Sequence, residues 1–551
     1  VSGRESIRRA LGEIERFVTG ADRPYDVVVL GGRIADGTGK PAFSGDIAIA
    51  GGRFARIVPA GTLARARARR RINARGLTVA PGFIDIIGQS REEALYGDGR
   101  LISKLTQGVT TEIVGEGISA APLHARAGGP SEFQGRGAFG RWLAAMEAHG
   151  VSANVGSFVG GSTVRRYAMG GAQRAPTWAE LDTMRAVVAD AMRDGAFGLG
   201  TALGYPPGSY ASTEELVALA REVARYGGVY ATHLRSEGDA LLEAIDEALE
   251  IGRRGGVPVE IYHFKTAGER NWPKLRPAMA KIDSARAHGF DIGANMYPYA
   301  AARMRLSVCL PPWASADGRL LDNLADPVVR QRIHAEMLDD GAEWESSCRL
   351  ATPAGVIVTG FRDPELRRHE GRRLTAAAEV EGTDWASALI GWTLRERRPP
   401  VGIFFLADEA ALDELMRAPW MKFGTDAAGL TPEARRFVPH PRAFGTYPRI
   451  LGRFVRERRT LTLEDAVHRM TGAVAERLAI EDRGVLREDA WADIVIFDAN
   501  AIADRASYAE PRRLSVGVHH VLVNGVAVVS DGRHTGKKPG RAVRGPGYQR
   551  P

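Results

Sequence analysis

Tyr230-Ala-Thr-His233-Leu-Arg-Ser-Glu237-Gly238, followed further on by Val259-Glu-Ile-Tyr-His263-Phe-Lys265, is the stretch on which the reading of this 551-residue chain turns. Between the two histidines, Leu241, Ile245, Ala248 and Leu249 recur at helical spacing. Gly255-Gly256 then stops the helix, and a short apolar run follows. The unit reads as strand, helix, strand, with one histidine at the C-terminal end of each strand. In a parallel sheet ligands bind at that end, where loops and helix N-termini converge. Two neutral imidazoles so placed suit a single metal ion. The plainer alternative is two unrelated histidines, one donating a hydrogen bond and one half-buried. Their matched placement favours the metal.

Outward from this unit the same alternation continues. Strands are expected at Thr78–Ile87, Val109–Val114, Ala153–Val159, Gly198–Thr201, Val229–His233, Val259–His263, Asp291–Met296, Gly402–Leu406 and Trp420–Gly424. So many βα units favour a closed barrel of parallel strands over an open sheet. The rhythm breaks between about Met304 and Arg362, which reads as an insertion near the barrel mouth. On both flanks the pattern changes to short strands with glycine turns: Gly31-Gly32 and Gly51-Gly52 early, Asn524-Gly525 late. The expected architecture is an α/β fold, a TIM-like (β/α)8 barrel with a small β-sandwich built from both chain ends. Its expected segments are an amphipathic N-terminal helix (1–24, with Ile7, Leu11, Ile14 and Val18 on one face), a first β-part (25–79), the barrel (80–482) and a second β-part with a tail (483–551).

Composition narrows the class. The chain is 44% hydrophobic and 25% charged, ordinary for a soluble globular protein. No apolar run is long enough to cross a bilayer, and no secretory leader is visible, so no membrane partner is expected. The net charge of +8 is modest, and the basic run Arg65 to Arg71 contains no aromatic residue. It reads as a solvated turn, and no nucleic-acid partner is expected. Cys309 and Cys348 are too few for a disulfide framework, which makes a reducing cytoplasm the expected location. A homo-oligomer is left open.

The motifs at the strand ends are more specific. The first barrel strand reads Ala80-Pro-Gly-Phe-Ile-Asp85-Ile-Ile87-Gly-Gln89, and Gln107-Gly-Val-Thr-Thr111 and Gly115-Glu116-Gly-Ile-Ser-Ala-Ala-Pro122 follow. Later come Gly195 to Leu203, Tyr205-Pro-Pro-Gly208, Tyr297-Pro-Tyr299, Gly424-Thr-Asp426, His440-Pro-Arg442-Ala-Phe-Gly-Thr446 and Ala492 to Asp498. In this order and spacing the chain resembles the amidohydrolase superfamily. The closer likeness is to its N-acyl-D-amino-acid deacylase (D-aminoacylase) group, over roughly residues 25 to 541. The resemblance implies a metal-dependent barrel hydrolase, with Glu116, His233 and His263 as metal ligands. Asp426 would take a proton from the attacking water and pass it to the leaving nitrogen. Lys265, Tyr297 and Arg442 would hold the carboxylate of a small-molecule substrate, for which an arginine fork and a phenol are well suited.

Two departures accompany the likeness. Where the family has His-x-His, this chain has Ile87-Gly88-Gln89. Isoleucine cannot ligate a metal and a glutamine amide ligates zinc poorly, so one of two metal positions reads as dismantled. A single zinc per chain is expected, and a Gln89→His change is expected to matter little. Gly161 stands where relatives often carry a histidine that helps polarise the scissile carbonyl. The expected function is hydrolysis of an N-acyl-D-amino acid or a related carboxylate-bearing amide. The alternatives are a repurposed pocket, shaped by Ile87 at the barrel floor, that performs cyclisation, decarboxylation or condensation, and a non-catalytic ligand-binding relative.

Overall fold

A computed structural model describes residues 24–124, 130–433 and 437–549. The N-terminal helix expected over residues 1–24 lies almost wholly outside the described residues. Eight parallel strands form the barrel. They are β1 (Phe83–Asp85), β2 (Val109–Val114), β3 (Asn154–Ser157, continued by Val159–Gly160), β4 (Gly198–Ala202), β5 (Val229–His233), β6 (Val259–Ile261), β7 (Ile292–Met296) and β8 (Met421–Phe423). β1 to β3 pair in sequence, and β3 to β8 continue the circuit. A parallel bridge between Gly88 and Ala427 closes the barrel just beyond β1 and β8. Every barrel-strand residue is buried, as expected of strands covered on both faces.

The helix between the two histidines spans Leu241–Gly255. It buries Leu241, Ala244, Ile245, Ala248 and Leu249, and Gly256 caps it in the left-handed conformation at φ 73°.

Both chain ends contribute to one nine-stranded sheet. Thr78–Pro81 joins the two contributions, pairing in parallel with Arg33 and Ile34 and antiparallel with Ile494–Phe497. Val29, Ile34, Ile47 and Phe54 from the first part share one core with Ile494, Ile496 and Leu522 from the last. The hairpin at Asn524-Gly525 has both residues at positive φ, 51° and 77°, as a two-residue turn of the mirror-image type requires.

Four expectations change. Thr78–Ile87 is not one barrel strand: it divides at Pro81-Gly82 between the end sheet and β1. A Cβ on Gly82 would lie 2.1 Å from Thr110 Oγ1, so only glycine lets the chain cross over there. The run at Gly402–Leu406 is not a barrel strand either. Val401–Phe405 is the centre of an antiparallel three-stranded sheet with Ala301–Arg305 and Val356–Thr359. A short apolar run fits either setting equally. The segment outside the βα rhythm therefore reaches from about 301 to 406, beyond the 304–362 expected, and carries its own core of Leu306, Ile333, Met337, Val356 and Phe404. Finally, Cys309 and Cys348 form a disulfide within that core. The pairing removes the argument that led from free thiols to a reducing compartment. Among the described residues, no helix is long and apolar enough to cross a membrane.

Candidate active site

Glu116 follows β2 through Gly115, whose φ of 107° turns the chain into the barrel mouth. His233 ends β5, and His263 lies just past β6. The three converge. Glu116 Oε1 is 3.0 Å from His263 Nε2 and 3.4 Å from His233 Nδ1, and these two nitrogens are 3.0 Å apart. One ligand atom from each residue lies within 4.8 Å of the others, so one carboxylate and two imidazoles present their lone pairs to one point. That donor set fits a zinc ion and leaves a coordination position open.

The tautomer of His263 follows from its other nitrogen. Nδ1 lies 2.9 Å from Glu237 Oε1 and 3.1 Å from Lys265 Nζ. The two contacts ask opposite things of Nδ1, but Lys265 also donates to Glu237, so Nδ1–H can donate to that carboxylate, which would leave Nε2 as the nitrogen to face a metal. Burial and Lys265 disfavour positive charge on His263, yet Glu237 and Glu116 push it up to about 9. A field that favours a proton there also favours a metal cation. Burial would raise Glu116, but hydrogen bonds from His233 and His263 hold it well below the usual carboxylate range.

Asp426 stands beside this cluster, three residues after β8. Its φ is 45° and that of His263 is 35°, backbone conformations that non-glycine residues rarely adopt and that gather at functional sites. Burial raises the Asp426 carboxyl above the usual aspartate range, against the pull of Arg442, and Glu116 adds to the rise. Gln89 connects the parts. Its Nε2 donates to Glu116 Oε2 at 2.6 Å and to Asp426 Oδ1 at 3.1 Å. Gln89 thus bridges Glu116 and Asp426, two contacts that the expectation of little effect on changing it did not include. Ile87 plays a different part. It is buried in an apolar cluster with Ile84, Ile113, Phe158 and Tyr262, and does not face the cavity. The idea that it shapes a repurposed pocket loses its footing.

The expected carboxylate clamp lines the same cavity, of about 1470 Å3. Arg442 lies 4.4 Å over the Tyr297 ring, and its Nη2 meets Asp426 Oδ2 at 2.8 Å. Arg442 Nε and Nη1 and the Tyr297 hydroxyl are buried with no hydrogen-bond partner among the described residues. Burial raises the Tyr297 phenol, with Arg442 opposing, so it stays a donor. Such orphaned donors call for an anionic acceptor. Lys265 is also present, but its ammonium is already paired with Glu237. Gly161 opens the helix Gly161–Met169 and brings no side chain to the site.

Several contributors had no role in the sequence reading. Glu237 orients His263. Tyr205 packs against His233 at 5.2 Å between ring centroids, its phenol pushed well above its usual range by burial and Glu116. His440 accepts from the Arg442 backbone N–H at 3.0 Å and contacts the Ala301 carbonyl at 2.9 Å, which holds the turn that carries Arg442. Glu237 and Tyr205 each sit in a quoted motif just past a barrel strand, so position alone was a usable signal.

Fold and site together define a metal-ready hydrolase barrel, and comparison with known proteins agrees. Residues 152–529 match the amidohydrolase family. The chain is 33% identical to the D-aminoacylase of Alcaligenes xylosoxydans xylosoxydans over 95% of its own length and 98% of that protein's. It superposes with a TM-score of 0.78 on the N-acyl-D-glutamate deacylase of Bordetella bronchiseptica, solved with zinc and a phosphonate mimic of the tetrahedral intermediate. Identity there is 32%, covering 95% of this chain and all of that one. A D-aminoacylase structure described in terms of a binuclear metal centre, with one-metal activation and second-metal attenuation, gives the same TM-score at 31% identity, with 95% and 100% coverage. This chain belongs to the amidohydrolase family.

Proposed function

We propose that this protein hydrolyses the amide bond of an N-acyl-D-amino acid, or of a related amide with a free carboxylate, using one zinc ion per chain. The observation that carries the reading is the convergence of Glu116, His233 and His263 beside a buried Asp426. The relatives' named activities on D-amino-acid derivatives support the substrate class, and the zinc in the Bordetella enzyme supports the metal.

Glu116, His233 and His263 would hold the zinc, which would supply Lewis-acid polarisation and acidify the attacking water. The chain's own residues do the rest. Asp426, with its proton affinity raised by burial, accepts a proton from the attacking water and returns it to the leaving nitrogen. Gln89 fixes Asp426 relative to Glu116. Arg442 Nε and Nη1 with the Tyr297 hydroxyl bind the substrate carboxylate and so set which bond faces Asp426. Tyr205, kept protonated by burial, packs its ring against His233 and lines the cavity as a hydroxyl donor.

The test is turnover of N-acyl-D-amino acids by the purified protein and by Asp426→Asn. The variant is expected to lose roughly 10²–10⁴-fold in kcat, the range of a general acid–base group, while retaining metal. Undiminished kcat would remove Asp426 from the chemistry.

A further inference from the structure

The loop that joins β5 to the helix Leu241–Gly255 carries Glu237, whose Oε1 meets His263 Nδ1 at 2.9 Å. A partner behind a metal-ligating imidazole fixes the ring and its tautomer, so whatever holds this loop also bears on the metal site. Part of the hold comes from the loop after β6. There the Ala267 N–H donates to the Glu237 carbonyl at 2.7 Å, and Arg270 pairs with Asp239 at 2.6 Å. The rest comes from outside the barrel. Ser236 and Asp239 lie on either side of Glu237, and both donate to a single oxygen of Glu345. The Ser236 hydroxyl reaches Glu345 Oε2 at 2.7 Å, and the Asp239 backbone N–H reaches it at 2.6 Å.

Glu345 belongs to the 301–406 segment, two residues ahead of the short helix Ser347–Leu350. Its side-chain hydrogen bonds among the described residues both go to this loop. Ser236 is buried and spreads the hold, because its Oγ also accepts from the N–H groups of Gly238 at 3.1 Å and Ala240 at 3.0 Å. The fit is as close as the bonding. A Cβ on Gly238 would lie 3.0 Å from Glu345 Oε2 and 3.0 Å from Leu350 Cδ1. A Cβ on Gly268, in the loop after β6, would lie 2.9 Å from Leu350 Cδ2. The segment thus presses on the loops that follow both histidine strands. Its own support is anchored: Cys348, in the helix after Glu345, is joined to Cys309 in the turn that follows Ala301–Arg305.

We propose that Glu345 is a positioning residue for the metal site: it fixes the loop on both sides of Glu237, and Glu237 in turn fixes His263. Glu345 itself does not line the cavity. The segment outside the barrel rhythm is then part of what builds the metal centre. The inference rests on the zinc reading above and deepens it.

Zinc affinity of the metal-stripped full chain, measured by competition with a chromophoric chelator, reads the effect without turnover. Glu345→Met keeps a side chain of similar length and removes the acceptor. It is expected to weaken zinc binding about 10–100-fold, the range for loss of a partner behind a metal-ligating histidine. Glu345→Gln keeps an oxygen able to accept both hydrogen bonds and is expected to stay within about threefold of the native chain. The pair is then repeated in a Glu237→Ala background. With Glu237 gone, Glu345→Met is expected to add less than about threefold, because the two residues act in series. A general loss of packing would instead weaken zinc binding equally in both backgrounds. Unchanged affinity in Glu345→Met, a Glu345→Gln variant as weak as Glu345→Met, or equal losses with and without Glu237 each overturn the inference. If Glu345→Met does not fold, Ser236→Ala removes one of the same hydrogen bonds from the loop side and carries the same expectations in both backgrounds. The two readings fail separately. A native chain that takes up no zinc ends the zinc reading and this inference with it, whereas a native chain that binds zinc no better than Glu345→Met ends only the role of Glu345.

Discussion

Gln89 donates to two carboxylates that would otherwise repel each other across the barrel seam. The seam itself sets the geometry: Asp426 N–H donates to the Ile87 carbonyl at 2.9 Å, and Gln89 N–H donates to the Ala427 carbonyl at 3.1 Å. A neutral amide thus occupies a place where the family resemblance puts a metal-binding imidazole, and it couples Glu116 to Asp426. Gln89→Leu removes both hydrogen bonds at similar volume. It is expected to lower kcat about 10–100-fold, the cost of losing a group that orients a metal ligand. Steady-state kinetics beside metal analysis checks this, and an unchanged kcat would show the bridge to be idle. Ile87 is the other half of the departure, and its account is packing. A Cβ on Gly424 would lie 2.4 Å from Ile87 Cγ2, so the methyl groups already fill the space above β8.

At the scale of elements, a buried ionic cluster ties the ends of β1, β2 and β8 together beneath the site. Lys104 Nζ reaches Asp85, Glu112 Oε2 at 3.1 Å and Thr425 Oγ1 at 2.7 Å, with Lys104, Asp85 and Glu112 all fully buried. Thr425 in turn donates to Asp85, and Ser90 donates to Glu112 at 2.9 Å. These two neighbours of Asp426 and Gln89 are thereby locked. Lys104→Met leaves two carboxylates facing each other in the interior, and stability is expected to fall by about 3–5 kcal/mol. Denaturant titration measures it, and a loss under about 1 kcal/mol would mean that water or a proton already neutralises the cluster. Most barrel strands were legible because each apolar run is followed by a helical pattern. The antiparallel strand at Val401–Phe405 was not, because its partners Ala301–Arg305 and Val356–Thr359 lie far off in sequence. No local period records that pairing.

At the scale of the molecule, the site exists only when the barrel closes. Gln89 and Asp426 meet across 337 residues, and Glu116 and His263 across 147. The end sheet adds its own long-range constraint by pairing Thr78–Pro81 with Ile494–Phe497. The candidate metal ligands, Asp426, Lys265 and Tyr297 could be picked out from sequence because each lies at or just past a strand end in a recognisable motif, and Arg442 because it opens a helix in another. Arg303 could not: it belongs to the segment outside the barrel rhythm, and only the folded chain brings it to the cavity. The same holds for the Cys309–Cys348 disulfide, whose partners only the folded segment brings together. The central claim is that one carboxylate and two imidazoles hold a single zinc ion. Elemental analysis of the purified protein, per chain, tests it most directly. About one zinc per chain, lost when His263 is changed to Ala, is the predicted result. Absence of bound metal after zinc has been supplied would contradict it.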